Sequence, residues 1–338
     1  MSDLMSEPEA NVLQPGEALP LPAVGRRRLF ADPQKVAPYF FLAPFFLLFA
    51  TFIAFPLLFS LFLSFQSWDA TSGLAGMKWV GLSNFTFTLT DHWFWKSLYN
   101  TAFMAITSGL PQHLIALPLA FFLQTCFRRW RNLVVGLYFL PFITSSVAIA
   151  LIFSSLYSTD FGMINLAIAE IGKLPGMHWI VPEHHIEWLY NASNVKPAVS
   201  VVIFWRYVGW NTVLYLSALQ TIPGELYEAA KIDGANGWQQ FRLVILPLLK
   251  PMIFLAVTLS IIGGLQLFEE PFILLPNDGM GTGQSGLTTA VYMYRTAFHD
   301  GDFGTASSIA WLLFVAITGL MWINTRIFNR GGMKEAGK

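Results

Sequence analysis

Three groups of side chains in this sequence could do chemistry, two of them in apolar stretches where polar residues are scarce. Tyr207, Trp210 and Asn211 share one helical face with Ile203 and Leu214, at spacings of three and four. Aromatic rings stack on the C–H faces of a sugar and an amide bonds its hydroxyls, so this face suits a carbohydrate. The same rings could equally fill volume in a helix bundle or sit in an interfacial belt. Ser260 and Gly264, four apart in a later apolar stretch, present a small surface with room for a ligand. The second group is Arg206, Glu269 and Glu270. Arg206 lies ~14 Å and the glutamates ~9 Å inside the outer ends of their apolar stretches, so antiparallel helices bring them to the same depth. They are expected to pair and to hold an outer gate or line a vestibule; the alternative is that each faces water alone. The third group, His184 and His185 beside Glu183 and Glu187, has the residue types of a metal site. On a loop rich in Trp and Pro these are expected to be solvated instead, and no metal is assigned.

Chemistry on nucleotides is missing. No G-x-x-x-x-G-K-[ST] phosphate loop occurs, since Gly172-Lys173 is followed by Leu174 and lacks the upstream glycine. No Ser-His-Asp or H-E-x-x-H arrangement stands out, so no catalytic residue is assigned.

The elements that position these groups are membrane helices. Charged residues make up 12% of the 338 and hydrophobic residues 54%. A soluble surface needs about a quarter charged, so a soluble enzyme is excluded. Lys plus Arg and Asp plus Glu number 20 each, which leaves no basic surplus for nucleic acid. The one cysteine, Cys126, permits no internal disulfide and is expected to pack beside a basic loop. Six stretches are long and apolar enough to span a bilayer, at 39–65, 98–123, 133–157, 198–220, 252–275 and 308–328. The expected fold is therefore all-α integral membrane, with six transmembrane helices over 38–330. The polar segments 1–37 and 331–338 are expected to be cytoplasmic tails, the first disordered. Fourteen of the Lys and Arg residues fall in the tails and loops of one side and five on the other, with Arg206 inside a span. The richer side is the cytoplasmic one, so both termini are expected there. Pro44, Pro56, Pro111, Pro118, Pro141 and Pro271 lie in or beside spans and predict kinks.

Between the fourth and fifth spans, 221–250 reads TIPGELYEAAKIDGANGWQQFRLVILPLLK. Pro223 suits the first position of a helix and Glu225 its positive end. Asp233-Gly234 is a turn signal and Asn236 can cap a second helix. Phe241, Val244, Ile245 and Leu248 then form one apolar stripe. The segment predicts a short helix–turn–helix on the inner face. A generic amphipathic interfacial helix is the alternative.

With these residues in view, Glu228-Ala229-Ala230, Asp233-Gly234-Ala235 and Ile245-Leu246-Pro247 resemble the EAA loop of binding-protein-dependent ABC importer permeases. Ser83-Asn84-Phe85, Asn100-Thr101, 266–275 and 289–310 resemble the carbohydrate-uptake branch of that family, the maltose-, lactose- and glycerol-phosphate-type permeases. The resemblance covers about 38–330. It implies that Glu228, Ala229, Ala230, Asp233, Gly234, Ala235, Leu246 and Pro247 belong to a coupling element that docks on a cytoplasmic ATPase subunit. It implies a second, homologous permease subunit, two ATPase subunits and an extracytoplasmic sugar-binding protein meeting loops 66–97 and 158–197. It implies no cofactor in this chain, ATP and Mg being held by the ATPase. It also points to the spans carrying Tyr207, Trp210, Asn211, Ser260 and Gly264 as the substrate path. An ion-coupled secondary transporter is the alternative function, and it would need a deep ion site and an internal repeat, neither of which is apparent.

Overall fold

A computed structural model of the protein describes residues 33–126, 129–177, 179, 182 and 184–330. The expected tails lie outside these residues, except that 33–37 are helical. The chain divides into two compact units, Met1–Leu58 and Phe59–Lys338. In the first, α1 (Pro33–Phe49) runs through a wide π turn at Ala50–Ala54 into α2 (Phe55–Leu63). The wide turn ends two residues before Pro56, which has no N–H to donate to the preceding turn.

The second unit is almost entirely helical. A two-residue hairpin pairs Gln66 with Trp79 and leads into α3 (Ser83–Thr90). Then come α4 (His92–Thr125), α5 (Arg131–Ile143), α6 (Ser146–Leu156), α7 (Met163–Gly172) and α8 (Ala192–Leu219). Next in the chain are α9 (Gly224–Ile232), α10 (Gly237–Leu248), α11 (Lys250–Leu265), α12 (Glu269–Leu274), α13 (Thr289–Phe298) and α14 (Phe303–Arg330).

Among the described residues, four helices are long and apolar enough to cross a membrane: Pro38–Leu63, His92–Thr125, Ala192–Leu219 and Phe303–Asn329. Two bent pairs raise the number to as many as six. Here the structure corrects the sequence reading, which treats 133–157 and 252–275 as continuous. The third span turns by 95° between α5 and α6, at the extended residues Thr144 and Ser145. The fifth stops at Leu265, is bent 72° from α10 at its start, and resumes as the short α12. Pro271 explains part of that second break. It cannot donate to the Leu267 carbonyl four residues back, and Thr288 Oγ1 donates there instead at 2.7 Å.

Helix α8 is the axis of the core. It carries Arg206 and Asn211 among mostly apolar residues, and buried residues occur along its whole length, from Val195 to Leu219. One apolar cluster gathers Met104, Ile149, Val195, Val199 and Val202 near one end. A second gathers Ala116, Ala120, Tyr215, Leu219, Ile245 and Leu249 near the other. Gly209 is what lets α5 approach α8, because a Cβ there would lie 1.7 Å from the Tyr138 carbonyl oxygen. At the first end, polar bonds tie elements far apart in sequence. Asn84 Nδ2 donates to the Ser64 and Gln66 carbonyls at 3.0 and 2.8 Å. Asn100 Nδ2 donates to those of Gln284 and Leu287 at 2.9 and 3.0 Å.

Candidate functional site

The polar segment between α8 and α11 folds into a helical hairpin whose turn is closed by its own backbone. Gly234 N donates to the Lys231 carbonyl at 3.0 Å and Ala235 N to that of Ala230 at 2.9 Å. This paired closure needs a left-handed residue at its centre, and Gly234 has φ +79°. Asn236 then caps α10: its side chain accepts from Gln239 N at 2.9 Å, and the Gln239 side chain accepts from Asn236 N at 2.8 Å. Glu225 occupies the first turn of α9, while Pro223 sits at the N-cap, one position earlier than expected.

The apolar stripe of α10 differs from the expected one. Phe241 and Ile245 are buried, Val244 is half-buried, and Leu248 is exposed with Leu249 buried in its place. Residues Gln240–Ile245 form a π turn, which inserts an extra residue and rotates the rest of the helix beyond it. That turn ends two residues before Pro247, the same relation that Ala50–Ala54 has to Pro56. Of the residues in the EAA-like segment, Ala230 is buried and Ala235 and Leu246 are half-buried. Glu228, Ala229, Asp233, Gly234 and Pro247 are exposed, next to Ile232 at 87% and Trp238 at 64% exposure. Burial pushes the Tyr227 phenol on α9 above its ordinary pKa. Cys126, expected to pack, is exposed.

Farther along the bundle, α4, α8 and α11 enclose a cavity of about 130 Å³. Tyr207, Trp210, Asn211, Ser260 and Gly264 all line it. Leu214 does not, and packs in the second apolar cluster. Trp210 stacks on Phe142 at 4.5 Å between ring centroids, which occupies one of its faces. Gly264 is small for a reason other than ligand space. A Cβ there would lie 2.9 Å from Ala105 Cβ, so it brings α11 against α4, while its neighbour Gly263 has open space before it. The sequence reading missed the α4 wall, above all Gln112, and also His113 next to it, which braces Ser260 without lining the cavity. Asn211 Nδ2 donates to Gln112 Oε1 at 3.0 Å. His113 bridges the Tyr215 hydroxyl at 2.8 Å and Ser260 Oγ at 3.0 Å. Two adjacent polar residues in the middle of an apolar span were the available signal.

The ionisable group lies beside this cavity, Arg206 preceding Tyr207. Arg206 Nη1 is 2.6 Å from Glu270 Oε1 and 3.6 Å from Glu269 Oε2. Its Nη2 donates to Ser146 Oγ at 3.1 Å, and Ser146 in turn donates to Glu269. Arg206 and Glu270 are buried, whereas the Glu269 side chain is 59% exposed. The node therefore joins α8 to the first residues of α6 and α12, the segments just beyond the two breaks. Ser146 was not foreseen.

Elsewhere in the bundle, Tyr292 donates to the Asp91 carboxylate, and burial together with that carboxylate raises the phenol's pKa. Lys96 Nζ donates to the Gly283 carbonyl at 2.9 Å. Of the four candidate metal ligands, Glu183 lies outside the described residues. Among the described residues no cluster of metal-ligating side chains occurs.

Comparisons with known proteins converge. A family model described as binding-protein-dependent transport system inner membrane component matches residues 101–331. A probable ABC transporter permease protein of Bacillus subtilis is 32% identical, over 89% of this chain and 98% of its own. The arabinooligosaccharides transport system permease protein of Bacillus subtilis is 32% identical, over 90% of this chain and 94% of its own. The lactose transport system permease protein of Rhizobium radiobacter is 32% identical, over 84% and 91%. Among solved structures, a bacterial ABC transporter involved in the import of the acidic polysaccharide alginate superposes with a TM-score of 0.74 at 21% identity. That match covers 90% of this chain and 99% of the other and establishes a common fold.

Proposed function

Because the chain belongs to the family of binding-protein-dependent transport system inner membrane components, we propose that it is the permease subunit of an ATP-driven sugar importer. It forms half of the translocation pathway and takes its drive through the hairpin. One observation carries this reading. The hairpin is the covalent link between the two helices that carry the aromatic, amide and hydroxyl groups of the cavity. Helix α8, with Tyr207, Trp210 and Asn211, ends at Leu219, and α9 begins at Gly224. Helix α10 passes at Leu249 into α11, which carries Ser260. A push on the hairpin therefore reaches both walls through short, stiff connections.

The exposed Glu228, Ala229, Ile232, Asp233 and Trp238 are the surface for a cytoplasmic ATPase. The ATP and Mg chemistry sits on that subunit, and this chain is not itself an enzyme. Two ATPases, a second homologous permease and an extracytoplasmic sugar-binding protein complete the importer. The Lys and Arg bias supports placing the hairpin and both termini in the cytoplasm. Loops 66–97 and 158–197 then face the binding protein. The Arg206–Glu270 pair, with Glu269, closes the outer side of the cavity. The relatives named for arabinooligosaccharides and lactose, and a cavity lining without a charged side chain, favour a neutral oligosaccharide.

The test is co-purification and reconstitution. The tagged chain should bring down an ATPase subunit, and sugar uptake into liposomes should require ATP. Uptake by the chain alone, driven by a proton or sodium gradient, would overturn the reading in favour of a secondary transporter.

A further inference from the structure

The hydrogen-bonding sense of the cavity wall is set from α4. The chain of constraints begins at a backbone carbonyl. Ile203 O can only accept, so the end of Gln112 that meets it at 3.3 Å is Nε2. Gln112 Oε1 is thereby turned to Asn211, and an oxygen acceptor requires Asn211 to answer with Nδ2, at 3.0 Å. Amide orientation is otherwise ambiguous, but this relay leaves one consistent arrangement. Both side chains line the cavity and are buried, at 4% and 2% exposure. That leaves Asn211 Oδ1 to accept from a ligand, while Nδ2 keeps a second N–H beyond the one given to Gln112.

We infer that Gln112 is a positioning residue for substrate selection. By holding the Asn211 amide nitrogen, it fixes Oδ1 as an acceptor in the cavity, so a substrate group that meets that oxygen must be a hydroxyl donating to it. A carboxylate or phosphate oxygen has no proton to give there, and no lining side chain carries a positive charge to offset it. The inference rests on the sugar-importer reading and narrows it to neutral, hydroxyl-bearing glycosides.

The test uses the complete importer in liposomes, with labelled lactose and arabinotriose as probes. Gln112→Met keeps the length but removes the relay. It is expected to raise KM about tenfold, the weight of one hydrogen bond, while the saturating rate stays within about twofold. Since Gln112 acts through Asn211, the same change in an Asn211→Ala background should leave KM where Asn211→Ala alone puts it. A role in packing alone would add in both backgrounds. Gln112→Glu, protonated at this depth, donates to Ile203 O and still accepts from Asn211, so it should keep the original KM. An unchanged KM in Gln112→Met, additive KM changes in the double variant, or a tenfold rise in an assembled Gln112→Glu overturns the inference and leaves the importer reading standing. Uptake by the unaltered chain alone, driven by an ion gradient without ATP, overturns both.

Discussion

In the hairpin, the hydrogen bonds that close the turn and the cap span five residues or fewer: Ala235 N on the Ala230 carbonyl, Asn236 with Gln239, Gln240 on the Ala235 carbonyl. In the cavity, the partners stand far apart in the chain. Asn211 and Gln112 are separated by 99 residues and His113 and Ser260 by 147. A turn and a cap closed locally keep their shape when their surroundings move, which suits this end of the hairpin to the transmission of force. A wall assembled from three helices changes whenever those helices shift. That suits the proposed substrate site, which on this reading holds a sugar in one state and releases it in another. The Arg206 node stands between these cases, because its bonds cross the two breaks that allow the helices to shift.

The largest expected effect strikes the hairpin. Gly234→Pro forces φ near −65° where the turn needs +79°. Sugar uptake should fall ~100-fold or more as the turn opens, since proline also removes a turn-closing N–H. The protein should still insert, judged by its level in washed membranes. Normal uptake would contradict force transmission through this turn.

Next comes the node. Arg206→Ala leaves the buried Glu270 carboxylate without its cation, which costs ~3–5 kcal/mol and should lower the thermal midpoint of the purified complex. Glu269→Ala should cost under about 1 kcal/mol, because its carboxylate is mostly in water. Equal losses in the two variants would show that the node does not depend on burial. Exchanging Arg206 with Glu270 should recover part of the uptake that each single reversal loses.

Two tryptophans separate the regions kinetically. Trp210→Ala removes a ring that lines the cavity and stacks on Phe142, and should raise the sugar KM ~10-fold. Trp238→Ala removes an exposed ring of the hairpin and should lower the maximal rate ~10-fold with KM held. Both values come from uptake curves at several sugar concentrations. Identical KM and rate changes in the two would dissolve the distinction between wall and drive.

The same contrast explains what was legible in the sequence. Gly234 and Asn236 carry their instructions in their own residue types, so the turn and cap could be read from a short window. The aromatic and amide face of α8 was legible because periodicity survives in a straight helix. The breaks at Thr144–Ser145 and at 266–268 were not, since a span-length window averages over the few polar residues there, Thr144-Ser145-Ser146 at one and Gln266 with Glu269-Glu270 at the other. Gln112 and His113 stayed hidden because what they do depends on which helix lies opposite. The shift from Leu248 to Leu249 arises from a π turn beside Pro247, and a fixed period of 3.6 cannot represent it.

The smallest effect is the most local. Asn236→Ala removes one side of the capping box and should cost ~1 kcal/mol, whereas Asn236→Gly should cost only a few tenths. Because the Schellman-type closure at Gly234 remains, the hairpin keeps its fold, and the loss appears as fraying of the first turn of α10. Trp238 lies in that turn, so the affinity between permease and ATPase should weaken about fivefold, as a ~1 kcal/mol penalty dictates. The sugar KM should not move, since no bond of the cap reaches the cavity. A KM shift in Asn236→Ala, measured in the assembled importer, would mean that the cavity already senses the hairpin before any nucleotide is bound. The two regions would then be one mechanical unit in the resting state as well as during transport.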